Sequence, residues 1–116
     1  MAKKRMALEI GIGTDLHGAD YTKAAKRALA DALWHNSLSV APAFGFERDA
    51  MQVEVRIGVA RPEAVDCDAV AEVLPYGSRR VSAELGGLDV PHPAGGHTVI
   101  ANAIVAVYLD FPEAGE

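Results

Sequence analysis

The residues with chemical potential concentrate in Ile10–Asp20, IGIGTDLHGAD, where a carboxylate and an imidazole stand two positions apart at Asp15 and His17. If the chain stays extended as it leaves a strand, residues of equal parity project to one side. The pair then offers one oxygen and one nitrogen to a divalent metal, zinc or a similar ion, or serves as an acid and a base in proton transfer. Zinc needs a third protein ligand and an open position to be catalytic. His35 is the expected third metal ligand, with Asp31 four residues earlier orienting its second ring nitrogen. The intervening helix is ~24 Å long at 1.5 Å per residue, so a neighbouring subunit could supply His35. Asp15 and His17 are thus the candidate catalytic pair, and Asp15, His17 and His35 the candidate metal set.

Gly11, Gly13 and Gly18 frame that pair and are read as ligand-binding backbone. His97, in the Pro-Gly loop before the last strand, and Asn102, a polar residue on an apolar strand, join them as ligand-binding candidates. GIGTDLHG has the first two glycines of a dinucleotide fingerprint without the third, and Asp15 stands where a pyrophosphate would approach. No Lys-Ser or Lys-Thr pair follows to make a Walker loop. A structural reading competes at each position. Asp15 can bond its own turn, and the glycines can serve positive φ or close helix contact. His35 and Asn36 suit a helix C-terminus, and Asn102 suits a core hydrogen bond. Arg79 and Arg80 read as a surface or interface ion pair rather than an anion site, and Cys67, between acidic neighbours, has nothing to activate it.

Composition limits the function classes. The chain has 116 residues, half of them hydrophobic, which fits one small domain over 1–116 with tails at 1–5 and 112–116. A net charge of -5 argues against a nucleic-acid or anionic-membrane surface, and the single basic cluster, Lys3-Lys4-Arg5, precedes the first strand. One cysteine rules out an internal disulfide and a cysteine-rich zinc site. No apolar run approaches the ~18 residues of a membrane span, and no leader pattern is evident, so a soluble, cytoplasmic setting is expected.

The hydrophobic period assigns the elements that must position these residues. Met6 to Ile12 alternates, placing Leu8, Ile10 and Ile12 on one face of a first strand. From the N-cap Asp20, Tyr21, Ala24, Ala25, Ala28, Leu29, Ala32 and Leu33 recur at helical steps, and that helix is expected to end near Asn36. Ser37 to Ala50 reads as a loop anchored by Phe44 and Phe46. Met51 to Val59 alternates as a second strand, and Asp66 or Asp68 caps a second helix stopped by Pro75 and Gly77. A third strand from Val81 breaks at Gly86-Gly87, resuming in part at Leu88-Asp89-Val90. Thr98 to Phe111 is apolar on both faces, the mark of a central strand covered twice. The expected fold is α+β, a two-layer sandwich of a four-stranded mixed sheet with two helices on one face, in the order β-α-β-α-β-β. Two short helices cannot cover both faces, so a homo-oligomer is expected to close the second.

Several stretches also resemble a known group. Gly11-Ile12-Gly13-Thr14-Asp15-Leu16-His17-Gly18 is similar to the GxGxDxHG signature of a small family of conserved hypothetical proteins found in bacteria and, with an extension, in plants. The segments 32–38, 74–77 and 100–103 resemble that family too, which has no assigned activity. The same motif looks like the opening of methylerythritol cyclodiphosphate synthase, whose Asp and His bind a divalent metal; that resemblance implies metal ligation by Asp15 and His17. Two functions are therefore carried forward. One is a small-molecule enzyme with a metal or acid/base site on the glycine turn at a subunit interface; the other is a non-catalytic oligomeric module binding a small molecule or metal.

Overall fold

The computed structural model describes residues 2–33, 37–75 and 77–112. Its elements are strand β1 (Ala2–Asp15), helix α1 (Tyr21–Leu33), helix α2 (Val40–Ala43), strand β2 (Gln52–Val59), helix α3 (Cys67–Ala71), and strands β3 (Ser78–Leu85), β4 (Leu88–Pro91) and β5 (His97–Phe111). The fold is a mixed α/β arrangement with a five-stranded sheet, where the sequence led us to expect four strands. The main path runs β1-β5-β2-β3, with β4 also paired to β5. β5 is antiparallel to β1, β2 and β4, and β2 and β3 are parallel. His97–Ile100 of β5 pairs with β4 and Asn102–Tyr108 with β2, so β4 and β2 lie end to end along one edge of β5.

The extra strand has a local cause at Gly86-Gly87. Gly86 donates its N–H to the Val59 carbonyl at 3.0 Å, and Gly87 takes φ +55°. A Cβ on Gly87 would stand 2.0 Å from the Ile100 carbonyl oxygen and one on Gly86 2.9 Å from Gly58 Cα. Only glycines let the chain cross the end of β2 this closely, and crossing it carries Leu88–Pro91 onto β5 instead of prolonging β3.

One face of the sheet holds the core. Val53, Val55, Ile57 and Val59 of β2 and Val99, Ala101, Ala103, Val105, Val107 and Leu109 of β5 are buried there. Against them packs the α1 stripe of Tyr21, Ala24, Ala25, Ala28, Leu29 and Ala32. Val70 of α3 and Leu74 belong to the same core. The Ser37–Ala50 segment, expected as a loop, contains α2 between 3-10 turns at Ser37–Ser39 and Arg48–Ala50. Phe44 and Phe46 meet Phe111 edge-on, at ring separations of 6.2 and 5.1 Å. β5 is central; the helices cover one of its faces, and the other, where a second copy was expected, carries the half-buried Ile100, Asn102, Ile104 and Tyr108. Ala2–Arg5, expected as tail, extends β1 along β5 from Phe111 to Tyr108.

Candidate functional site

The glycine turn is built around a buried carboxylate. β1 ends at Asp15 and the chain bends over residues 16–18, so Asp15 and His17 do not share the parity of a continuing strand. Asp15 faces the helix layer with 4% of its surface exposed. Its Oδ2 accepts the Asp20 N–H at 2.8 Å, and Arg27 Nη1 stands 3.6 Å from Oδ1 while donating to the Thr14 carbonyl at 2.6 Å. A Cβ on Gly18 would stand 2.9 Å from Asp15 Oδ2. Asp15 thus ties the turn to the start of α1, the structural role weighed against ligation.

His17 is exposed on that bend and stacks on His92, with ring centroids 6.0 Å apart. His92 Nε2 lies 3.0 Å from both the Leu16 carbonyl and Thr98 Oγ1. Gly11 and Gly13 face α1 instead of a ligand: a Cβ on Gly11 would stand 2.3 Å from the Ala28 oxygen, and one on Gly13 2.2 Å from the Ala28 nitrogen. Asp31 accepts the Ile12 N–H at 2.9 Å, which gives its carboxylate a partner other than the expected His35. His35 itself falls outside the described residues, as do Asn36 and Tyr76. Among the described residues, no group of three or more His, Cys, Asp or Glu side chains is placed to hold a metal ion. The Asp15–His17 donor set does not fit the metal that the motif implies, because the carboxylate is held by a backbone N–H and faces Arg27 while the imidazole stacks elsewhere.

A second cluster forms at the same end of the sheet. Asp15, Val99 and Asp89 occupy one cross-strand row on the helix-covered face, which puts the backbones of the two aspartates about two strand spacings, ~10 Å, apart. Asp20 accepts the Lys23 N–H at 3.0 Å and so caps α1, whose first residue is Tyr21. The Tyr21 hydroxyl donates to Asp89 Oδ2 at 2.5 Å, and His97 Nε2 lies 3.1 Å from the same hydroxyl oxygen and 3.6 Å from Asp89 Oδ2. Since the tyrosine proton goes to the carboxylate, the hydroxyl oxygen accepts from His97, which assigns the Nε2–H tautomer to the neutral ring. Nδ1 is then that ring's acceptor. Burial, followed by the hydrogen bond and negative charge of Asp89, pushes the Tyr21 phenol up from its ordinary range. Asp89 Oδ1 is buried without a hydrogen-bond partner among the described residues.

His97 is therefore the sequence-derived candidate that enters a polar cluster, and Tyr21 and Asp89 are its unforeseen members. Both carried a signal. Tyr21 directly follows the motif at the first position of α1, and Asp89 sits between two apolar residues of a short strand. Asn102 lies on the other face of the sheet, lining a hollow of about 170 Å³ with Arg56, Gly58, Glu84, Gly86 and Ile104. A second hollow of the same size is lined by Lys3, Gln52, Glu54, Ser78, Arg79 and Arg80.

The chain belongs to the conserved hypothetical protein family Lin0512_fam, which matches residues 5–107. It is similar to a crystal structure of an FtsZ-like protein of unknown function from Nostoc punctiforme PCC 73102, at 36% identity and a TM-score of 0.84, covering 96% of this chain and 99% of that one. No curated protein matches it. No helix among the described residues is long and apolar enough to cross a membrane.

Proposed function

We propose that the chain binds a polar small molecule through Tyr21, Asp89 and His97, with the capacity for acid/base chemistry at His97. The observation that carries this reading is the continuous hydrogen-bonded chain from Asp89 through Tyr21 to His97, in which one carboxylate oxygen has no partner among the described residues. A purely structural Tyr–Asp contact would be expected to satisfy both oxygens, because a buried unpaired acceptor costs ~1–3 kcal/mol. The side chains of His97 and Asp89 remain 31% and 27% exposed, so the cluster is reachable from solvent.

The chemistry follows from the tautomer. His97 donates through Nε2 to Tyr21 and accepts through Nδ1, where a proton from a ligand would be taken. The imidazolium then gains the Asp89 carboxylate at 3.6 Å as its counter-charge. A ligand carrying an N–H or O–H donor fits such a site, where His97 Nδ1 is the acceptor not used within the cluster. In this reading the glycine turn is the frame: Asp15 fixes the turn, and the turn delivers Tyr21.

The test is a fragment screen of amines, amides and hydroxy acids followed by ¹H–¹⁵N spectra of the whole chain. Binders are expected to shift the amides of Tyr21, Asp89 and His97 and to lose affinity about 10-fold in Tyr21→Phe. Hits that map elsewhere, or affinities unchanged by Tyr21→Phe and by Asp89→Asn, would overturn the reading.

A further inference from the structure

The sheet face opposite the helices is apolar along one side and hollow along the other. Leu8, Ile10 and Ile12 of β1 point there, with Ile10 62% and Ile12 57% exposed. Pairing extends this surface across the sheet, with Ile10 beside Ile104 and the exposed Leu88 beside Ile100. Soluble monomers seldom expose contiguous apolar patches of this kind. One cross-strand row reads Ile12, Asn102, Gly58, Glu84 from edge to edge. It starts with a protruding side chain, and Gly58, with Gly86 packed against it, lines the hollow of about 170 Å³ beside the Arg56–Glu84 ion pair. An apolar cavity of ~150 Å³ takes a benzene molecule, so this hollow has room for one branched aliphatic side chain.

Charge selects the occupant. By strand register, Lys3, Arg5, Arg56 and Arg80 share this face with Glu54, Glu84 and Asp110, four cations against three carboxylates, while the whole chain carries -5. The acidic surplus therefore lies elsewhere. Two copies meeting here are not repelled, whereas a phosphate-rich or strongly basic partner finds no matching field. Area agrees: at ~4.8 Å per strand and ~3.3 Å per residue, the paired strands give a footprint of roughly 700 Å² before side-chain relief is added. A standard interface takes ~800 Å² from each partner.

We propose that this face is a two-fold interface between two copies of the chain, in which Ile12 of each copy seats in the hollow over Gly58 of the other and the two Asn102 side chains meet at the axis. The geometry follows from the row. A two-fold axis parallel to β5, midway between stacked sheets, keeps β5 over β5 and exchanges the neighbours on either side, so β1 of one copy lies over β2 of the other. The protrusion at one end of the row and the hollow on the other side of β5 are then satisfied reciprocally. Paired Asn102 amides can each donate and accept at the centre. The interface is independent of the ligand reading, since the Tyr21 cluster lies on the helix-covered face.

The test uses the whole chain in solution. Light scattering at ~10 µM protein is expected to give twice the 12.2 kDa chain mass, or an even multiple of it. Ile12→Glu, at a position exposed in the monomer, is expected to keep the far-ultraviolet spectrum and thermal transition of the parent while weakening association at least 100-fold. In a Cys67→Ser background, Asn102→Cys is expected to crosslink into dimers with a short bis-maleimide, and Ser82→Cys is not. A monomeric parent, an odd-numbered assembly, a dimeric Ile12→Glu or equal crosslinking at both cysteines would each overturn the proposal.

Discussion

The Tyr21 hydroxyl and the Asp89 carboxylate meet at 2.5 Å across 68 residues of sequence, joining the first turn of α1 to the short strand β4. A hydrogen bond to a charged acceptor contributes ~1.5–3 kcal/mol when both partners are desolvated, and the partial exposure of Asp89 places this one toward the lower end. Tyr21→Phe removes the donor and leaves Asp89 with no described side-chain hydrogen bond, so a loss of about 1–2 kcal/mol is expected in urea unfolding. Asp89→Asn keeps an acceptor for the phenol and should cost less. A double-mutant cycle over the two positions is expected to give a coupling near 1 kcal/mol. Strictly additive losses would show that the contact contributes nothing of its own.

The same phenol sets an alkaline limit. Its folded pKa is raised above the ordinary value of 10.0, first by burial and then by Asp89. A raised folded pKa means that the stabilisation is fully present below about pH 10 and is lost as pH climbs through the folded value. The thermal unfolding midpoint should therefore fall above pH 10 more steeply in the parent than in Tyr21→Phe. Ultraviolet difference spectra of parent and variant give the second readout, with the Tyr21 signal appearing only above pH 10.

Gly13 sits beneath α1 with no room for a side chain, and a Cβ there would stand 2.2 Å from the Ala28 nitrogen and 2.4 Å from the Ala24 oxygen. These are rigid helix-backbone atoms, so the helix must lift off the sheet. Gly13→Ala is expected to cost ~3 kcal/mol or more, the upper range for overpacking, and to leave much of the chain insoluble. Gly45→Ala is the control: its φ is +77° with nothing within 4 Å, so only backbone strain of ~1 kcal/mol is expected. Equal midpoints for the two variants in urea would contradict the packing reading.

These glycines also explain what could be read in advance. The α1 face was legible because its period depends on near neighbours, and Tyr21, Ala24, Ala25, Ala28, Leu29 and Ala32 are all buried as the spacing predicts. Alternation in β1 revealed the period but not which face turns inward. Gly11, Gly13 and Asp15 face the core and Ile10 and Ile12 face out, because the helix backbone approaches too closely for side chains. The β4–β5 pairing was hidden because the Gly86-Gly87 crossing depends on the end of β2, more than 25 residues earlier. His97 could be placed near the turn by strand direction, since β5 begins where β1 ends, but its partner Tyr21 read as an ordinary helix residue.

Asp31 guards the open edge of β1. Its Oδ2 accepts the Ile12 N–H at 2.9 Å, and Arg27 donates to the Thr14 carbonyl beside it, so α1 side chains occupy backbone groups that a further strand would otherwise take up. Unprotected edges of this length template pairing with another chain. Asp31 is exposed, so Asp31→Ala should cost only ~0.5–1.5 kcal/mol in equilibrium unfolding. Its larger consequence is kinetic: with the Ile12 N–H released beside an apolar surface, the variant is expected to aggregate several-fold faster than the parent on agitation at 37 °C, with thioflavin fluorescence reporting edge-to-edge pairing. Asp31→Asn retains an acceptor and should aggregate at close to the parent rate. If both variants aggregated alike, the lost negative charge would be the cause and the hydrogen bond to Ile12 would not be the guard.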